Sequence, residues 1–346
     1  MKQIPVGVIG ATGYAGAELV RLLLSHPNVT LAALSSVSFE GKALCDVYPS
    51  FTGLLSGTLC NDETVIERSE VVFASLPHGL SETYARACAD AGKIFIDLGA
   101  DFRLEKEDDY AQWYGLRYEQ PELHQKAVYA LPELFRQRIR SARILGNPGC
   151  YPTSIALGLA PALQAHLIDP NTLILDSKSG VTGAGRGLTQ NTHYPECNEA
   201  FAPYKVAAHR HTPEIEQTLS HLYGSEVRVT FVPHLLPVNR GIVSTMYAQL
   251  TTDAPLSEIH AAYTAAYADE PFVRVLDLGA VANLKNVRYS NFCDISLHAD
   301  ARTGRLIVVS TIDNMVKGAA GQAIQNMNLV LGLCETTGLL MVPPAF

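Results

Sequence analysis

Charge is scarce in this 346-residue chain: Asp, Glu, Lys and Arg make up 17% of it, and the acids exceed the bases to a net −8. That excludes the basic face a nucleic-acid or anionic-membrane partner requires. Paired cysteine spacing is missing as well. Seven cysteines, an odd number with no Cys-x-x-Cys among them, exclude a disulfide framework and a structural zinc site, and read as free thiols in a reducing compartment. No apolar run is long enough to span a bilayer. The opening Met1-Lys2-Gln3-Ile4-Pro5-Val6 runs straight into a strand without a signal-peptide core, so the expected location is the cytoplasm. Internal repeats, low-complexity tracts and charge blocks are absent too. What is plentiful is apolar residue, 47% of a chain longer than one core usually serves. The expectation is a two-domain soluble enzyme that binds a small molecule, with no nucleic acid, membrane or metal involved.

Val6 to Gly10 is a short buried-strand pattern and Ala17 to Leu24 has helical apolar spacing. Between them Gly10-Ala11-Thr12-Gly13-Tyr14-Ala15-Gly16 spaces glycines three apart, a variant of the dinucleotide fingerprint in which backbone N–H groups and a helix N-terminus receive a pyrophosphate. The second strand, Thr30 to Leu34, ends in Ser35-Ser36, where an NAD-binding chain carries an acid for the ribose 2′-hydroxyl. NADP(H) is therefore the expected cofactor, with Ser36, Ser38 and Lys42 as candidate phosphate contacts. Strands at 71–74 and 94–98, with a helix over 80–91 between them, continue the alternation of a Rossmann-type, doubly wound parallel sheet. Ligands gather beyond the carboxyl ends of such strands. The loops Ser75-Leu76-Pro77-His78-Gly79 and Gly99-Ala100-Asp101-Phe102-Arg103 fall there, as cofactor neighbours or as plain connections.

A strand-like segment then stops at Gly146-Asn147-Pro148-Gly149, and a small-apolar helix runs over 154–163. Cys150 lies between them, at a strand-to-helix corner. Backbone N–H groups and the helix dipole stabilise an anion there, and such sites lower a thiol pKa from about 8.5 into roughly the 3.5–7.5 range. A strand over 172–176 leads into Ser177-Lys178-Ser179-Gly180-Val181-Thr182-Gly183-Ala184-Gly185-Arg186, a loop of donors suited to an anionic group. In His209-Arg210-His211-Thr212-Pro213-Glu214, Thr212 suits an N-cap and Pro213 a first helical residue. On an extended approach both histidines point one way, and one is expected to exchange protons. Glu214 is explained by the helix dipole alone. Strand-like stretches at 228–232, 241–247 and 306–311 predict an α+β second domain with a mixed, largely antiparallel sheet. The helix from Asp313 to Leu333 is expected to return to the nucleotide domain, with Asn314 on the nicotinamide side of the cofactor. The predicted boundaries are residues 1–149 completed by 314–346, and 150–313 for the catalytic and oligomerisation domain.

Taken together, Tyr14 to Leu19, Asp97 to Arg103, Gly146 to Thr153, Ser179 to Arg186, His209 to His211 and Lys317 to Ala323 closely resemble the N-acetyl-γ-glutamyl-phosphate reductase family of arginine biosynthesis, over nearly the whole chain. The resemblance implies an NADP-dependent oxidoreductase related to aspartate-semialdehyde dehydrogenase, acting on an acyl phosphate as a homodimer or homotetramer. It implies a Cys150 thioester with His211, or else His209, as acid and base. Cofactor contacts are expected at Gly10, Thr12, Gly13, Tyr14, Ala15, Gly16, Ser36, Ser38, Ser75, Pro77, Ser179, Gly180 and Asn314. Substrate contacts are expected at Asn147, Arg103, Arg186, Arg210 and Arg240, since two anionic groups call for Arg. Val37 stands where many relatives carry an Arg after the Ser pair. Three alternatives stay open: a sister reductase for aspartyl or aminoadipyl phosphate, a non-catalytic NADP-sensing protein, and a thiol redox sensor pairing Cys150 with Cys197 or Cys293.

Overall fold

The computed structural model describes residues 3–346, which form two compact units. The first runs to Pro148 and takes in Ala319–Leu340; the second is Gly149–Gly318 with Met341–Phe346. The sequence reading placed the second crossover at 313/314; it falls at 318/319. Asp313 and Asn314 are tied into the second unit, where Asn314 Oδ1 accepts the Gly241 N–H (2.6 Å) and Asp313 pairs with Arg240. The last six residues also belong with the second unit rather than the first.

The first unit is built on six parallel strands: β1 Ile4–Ile9, β2 Val29–Leu34, β3 Val71–Ala74, β4 Ile94–Asp97, β5 Ala127–Tyr129 and β6 Ile144–Gly146, in the order β2-β1-β3-β4-β6-β5. The central β3 and β4 are buried at every position, as strands covered on both faces are. From these strands Val72, Ala74 and Phe95 join Ile9, Val65, Ala85, Phe102 and Ile144 in one core cluster. The order reverses at β1, so the turn after β1 lies at the switch point where doubly wound sheets take their ligands. The very short β5 lacked any pattern in the sequence to mark it.

The second unit carries β7 Ile174–Gly180, β8 Ala202–Pro203, β9 Thr230–Leu236, β10 Ile242–Gln249, β11 Val273–Val275, β12 Cys293–Asp300 and β13 Arg305–Ile312, ordered β11-β12-β13-β10-β7-β9-β8. The sheet is mixed: β11 with β12 and β7 with β9 are parallel, the remaining neighbours antiparallel. The helix Cys150–Gln164 is buried from Tyr151 to Leu163. Ser154 Oγ reaches Ser244 on β10 (3.0 Å) and Ser310 on β13 (3.1 Å), and Ser244 bonds Ser177 on β7 (2.9 Å), so a row of buried hydroxyls fixes that helix over the sheet. Along β10 the buried Ile242, Ser244, Met246 and Ala248 alternate with half-buried Val243, Thr245, Tyr247 and Gln249, the period-2 pattern of a sheet with one face on the core.

Candidate functional site

Gly10 takes φ +79° between β1 and the first helix, Tyr14–Leu23, a conformation open to glycine and costly for other residues. A Cβ at Gly10 would overlap the Ser75 carbonyl oxygen, and one at Gly16 would overlap Gly10 O. Gly13, the helix N-cap, differs: the nearest atom to its would-be Cβ is 3.5 Å away. Two of the three glycines thus serve the turn's own packing, and the third leaves room over the helix N-terminus for a phosphate. Thr12 and Ser36 are buried and joined Oγ1 to Oγ at 2.6 Å. Ser38 and Val37 are exposed, and Lys42 lies over the Phe39 ring. The strand end is not free of acid, contrary to the local reading. Asp62, from the helix Asp62–Arg68, accepts from Ser35 Oγ through Oδ1 and from Tyr84 OH (2.6 Å) through Oδ2, so both oxygens are engaged. Ser75 flanks the glycine turn, its Oγ 3.9 Å from the would-be Gly13 Cβ, and Pro77 is exposed in the same loop.

Asp101 accepts from the Gly79 and Ser81 N–H groups and from Tyr110 OH, so the loop after β4 organises the loop after β3. Arg103 donates Nε to Asn147 O (2.8 Å) and Nη2 to Leu98 O (2.8 Å). Asn147 gives its amide N–H to Ala319 O (3.1 Å) and receives Asn326 Nδ2 on Oδ1 (3.1 Å). Both were expected at the substrate. Both use these groups inside the first unit and are buried.

In the second unit the Cys150–Gln164 helix begins at the cysteine itself, with Gly149 as N-cap, four residues earlier than its apolar pattern predicts. The Gly149 N–H donates to Glu214 Oε1 (2.7 Å), and Glu214 is fully buried. That donor is therefore engaged by a carboxylate of the helix that begins at Thr212. Nothing in the sequence beyond the Pro213-Glu214 position hinted at this contact, which joins elements 65 residues apart. A Cβ at Gly149 would sit 2.6 Å from His211 Nε2 and 3.0 Å from Glu214 Oε2, so the His211 ring packs on the residue before Cys150.

The two histidines do converge, but not along an extended segment. Residues 210–211 turn, the helix starts at Thr212 with His211 as N-cap, and Thr212 lies inside it. His211 N–H donates to His209 Nδ1 (3.1 Å), and the ring centroids are 4.9 Å apart. Burial, then the charges of Lys205 and Arg210, push His209 down to about 4. Tyr151 packs edge-on against both rings, and its hydroxyl meets Tyr204 OH (3.1 Å). Burial first, then Tyr204, raises the Tyr151 phenol far above its usual range, so it stays protonated. Tyr204 and Lys205 were missed by sequence reasoning.

Ser179 and Gly180 end β7 and lie against the 238–241 segment, where a Gly180 Cβ would be 2.7 Å from Arg240 N. Asn314 Nδ2 donates to Thr182 Oγ1 (3.1 Å), and a Cβ at Gly183 would meet both Ser179 Oγ (3.4 Å) and Asn314 Nδ2 (3.6 Å). Arg240 pairs with Asp313, and Arg186 is exposed in the loop that follows. Cys293 is fully buried against Ser310, and Cys197 lies with Thr192 and Tyr194; all seven cysteines are free thiols.

The family profile described as semialdehyde dehydrogenase, NAD binding domain, matches residues 5–142, and the profile described as semialdehyde dehydrogenase, dimerisation domain, matches 150–314. An N-acetyl-gamma-glutamyl-phosphate reductase of Brachyspira hyodysenteriae is 60% identical, covering 99% of this chain and 100% of its own length. One of Clostridium beijerinckii is 57% identical with the same coverage. Among solved structures, aspartate semialdehyde dehydrogenase II of Vibrio cholerae shares the fold with a TM-score of 0.74 over 96% of this chain and 99% of its own, at 16% identity.

Proposed function

The chain belongs to the N-acetyl-γ-glutamyl-phosphate reductase family, and from that premise we propose that it reduces N-acetylglutamyl 5-phosphate to the 5-semialdehyde with release of phosphate, as a step of arginine biosynthesis. The observation that carries the mechanism is the placing of Cys150 at the first residue of a buried helix, with His211 Nε2 packed on the preceding Gly149. The helix terminus stabilises the Cys150 thiolate. Its sulfur attacks the acyl carbonyl, phosphate leaves, and a thioester to Cys150 remains, which divides one hard reduction into two easier steps. When bound, NADPH supplies the hydride that reduces this thioester. His211 gives a proton to the oxygen side of the reaction and takes one back as the thiohemiacetal collapses to aldehyde and thiolate. His209, held neutral, orients His211 by accepting its backbone N–H.

Gly10, Thr12, Gly13, Tyr14, Ala15 and Gly16 fit the pyrophosphate, since the turn is closed where it packs and open at Gly13. Ser36, Ser38, Ser75 and Pro77 are the further nucleotide contacts proposed in the first unit; Ser179, Gly180 and Asn314 are those proposed in the second. NADP is preferred to NAD because both Asp62 oxygens are engaged by hydroxyls and no carboxylate follows Ser36 in the chain. The substrate's carboxylate and phosphate fall to Arg186 and Arg210. The enzyme works in the cytoplasm, consistent with its unpaired thiols, and no described helix is long and apolar enough to cross a membrane.

The test is phosphate-dependent reduction of NADP by N-acetylglutamate semialdehyde, run beside NAD and beside aspartate semialdehyde. The proposal expects the acetylated substrate with NADP to exceed both alternatives by at least about 100-fold in kcat/KM. Equal or better use of aspartate semialdehyde would assign the chain to the sister reaction, and cofactor binding without any turnover would favour a sensor.

A further inference from the structure

Asp313 lies just before a wide, π-type turn, Val316–Ala320, and binds it from both sides. Its carboxylate accepts the N–H groups of Met315 (2.8 Å) and Val316 (3.1 Å), and its carbonyl oxygen accepts the Gly318 N–H (2.9 Å), the i to i+5 bond that defines such a turn. The same carboxylate, fully buried, pairs with Arg240 Nε (3.1 Å) and takes the Tyr289 N–H (2.6 Å). Tyr289 is held at φ +61°, a conformation a bulky residue adopts only when its surroundings enforce it. Its ring lies over the Arg240 guanidinium, 4.6 Å from the centroid, so Arg240 is fixed on one side by charge and on another by the aromatic face. Within this turn, Gly318 lies against the nucleophile: a Cβ there would be 2.7 Å from the Cys150 Cβ and 3.2 Å from its Cα.

We infer that Asp313, Arg240 and Tyr289 form a clamp that positions the nucleophile, by fixing the turn whose Gly318 is the wall behind Cys150. Arg240 is then a positioning residue and not a contact of the substrate's anions. A π-type turn is uncommon and recurs at functional sites because the inserted residue re-aims what faces it; here the facing group is the carbon that carries the thiol. A small shift of that wall displaces the Cys150 side chain and carries Sγ off line, which harms a reaction that needs the sulfur aligned on one carbonyl far more than it harms attack on a small mobile reagent.

The inference rests on the proposed reductase reaction, and wild-type turnover in the same assay shows whether that reading holds before any variant is compared. Arg240→Lys keeps the charge but not the planar fork, and Gly318→Ala puts a methyl on the wall. In each, kcat with N-acetylglutamate semialdehyde, phosphate and NADP is expected to fall by about 30-fold or more, with KM for semialdehyde and phosphate within about threefold of wild type. Alkylation of Cys150 by iodoacetamide should stay within about threefold as well, because a displaced thiol still meets a small reagent. If Gly318→Ala does not fold, Arg240→Lys alone decides. A tenfold rise in either KM with kcat retained would make Arg240 a substrate contact and overturn the inference, and so would unchanged kinetics. Loss of kcat accompanied by an equal loss of alkylation would overturn it too, since it would mark general damage to the site.

Discussion

His209 and His211 are two residues apart in the chain, and their rings lie 4.9 Å apart. His209 sits in the ring cluster of Tyr151, Tyr204 and Phe231, with Lys205 and Arg210 close enough to oppose a positive charge on it. Its folded pKa, about 4, lies below the unfolded value of 6.5, so the unfolded chain binds the proton more readily. Stability from this group is complete above pH 6.5, falls as pH drops towards 4, and changes no further below that. The loss is of the order of 3 kcal/mol. Urea unfolding at pH 7 and pH 4.5 should show His209→Asn losing less stability over that interval than wild type; an identical loss would mean that His209 is not held neutral. The sequence revealed the pair, because histidines two apart before a Thr-Pro helix start are conspicuous. It did not reveal which was which, since that depends on Lys205 and Tyr204, brought near by a turn with left-handed residues at Lys205 and Ala207. Glu214 was legible only as a helix-terminus carboxylate; its bond to Gly149 depends on two helices meeting.

At the scale of elements, the glycine turn separates packing from binding. Gly16→Ala is expected to lose about 1–3 kcal/mol of stability, because its methyl overlaps the Gly10 carbonyl and the turn must open. Gly13→Ala has open space, and Gly13 already has φ −71°, so its stability should stay within about 0.5 kcal/mol of wild type. Its affinity for NADP should nevertheless fall by about tenfold or more, as the methyl occupies the approach to the pyrophosphate. Thermal unfolding with and without NADP separates the two, and a Gly13→Ala protein that binds NADP normally would remove the turn from the cofactor site. Elements with strong periodic signals were legible: β3 spans the four residues read from sequence, and the helix after it differs by one residue at each end. Among those missed were the helices Asp62–Arg68, Glu107–Tyr114, Pro132–Arg140 and Leu256–Ala266, the short β5, β8 and β11, and β12, where Asp294, Ser296 and His298 interrupt the apolar run yet are accommodated by hydrogen bonds to Arg274, Ala282 and each other.

For the whole molecule, the half-buried alternate face of the second unit's sheet, with Val243, Thr245 and Tyr247 on β10 and Val232 on β9, belongs to the segment matching a dimerisation-domain profile. Sedimentation at micromolar concentration should show an assembly of two or four chains, and Tyr247→Lys should dissociate it; a monomeric wild-type protein would contradict this. The two-part architecture was legible from composition and alternation, whereas the boundary in the C-terminal segment was not, because Asp313 and Asn314 read as helix start and act instead as ligands of the second unit's backbone. The proposed reaction requires Cys150 to carry the acyl group during turnover. Mixing the enzyme with N-acetylglutamyl phosphate in the absence of nicotinamide cofactor, quenching in acid and measuring intact and peptide masses tests it most directly. One N-acetylglutamyl group per chain is expected on the peptide containing Cys150, absent from Cys150→Ser and discharged when NADPH is added before the quench. An unmodified Cys150 in an enzyme that turns over normally, or full turnover by Cys150→Ser, would contradict it.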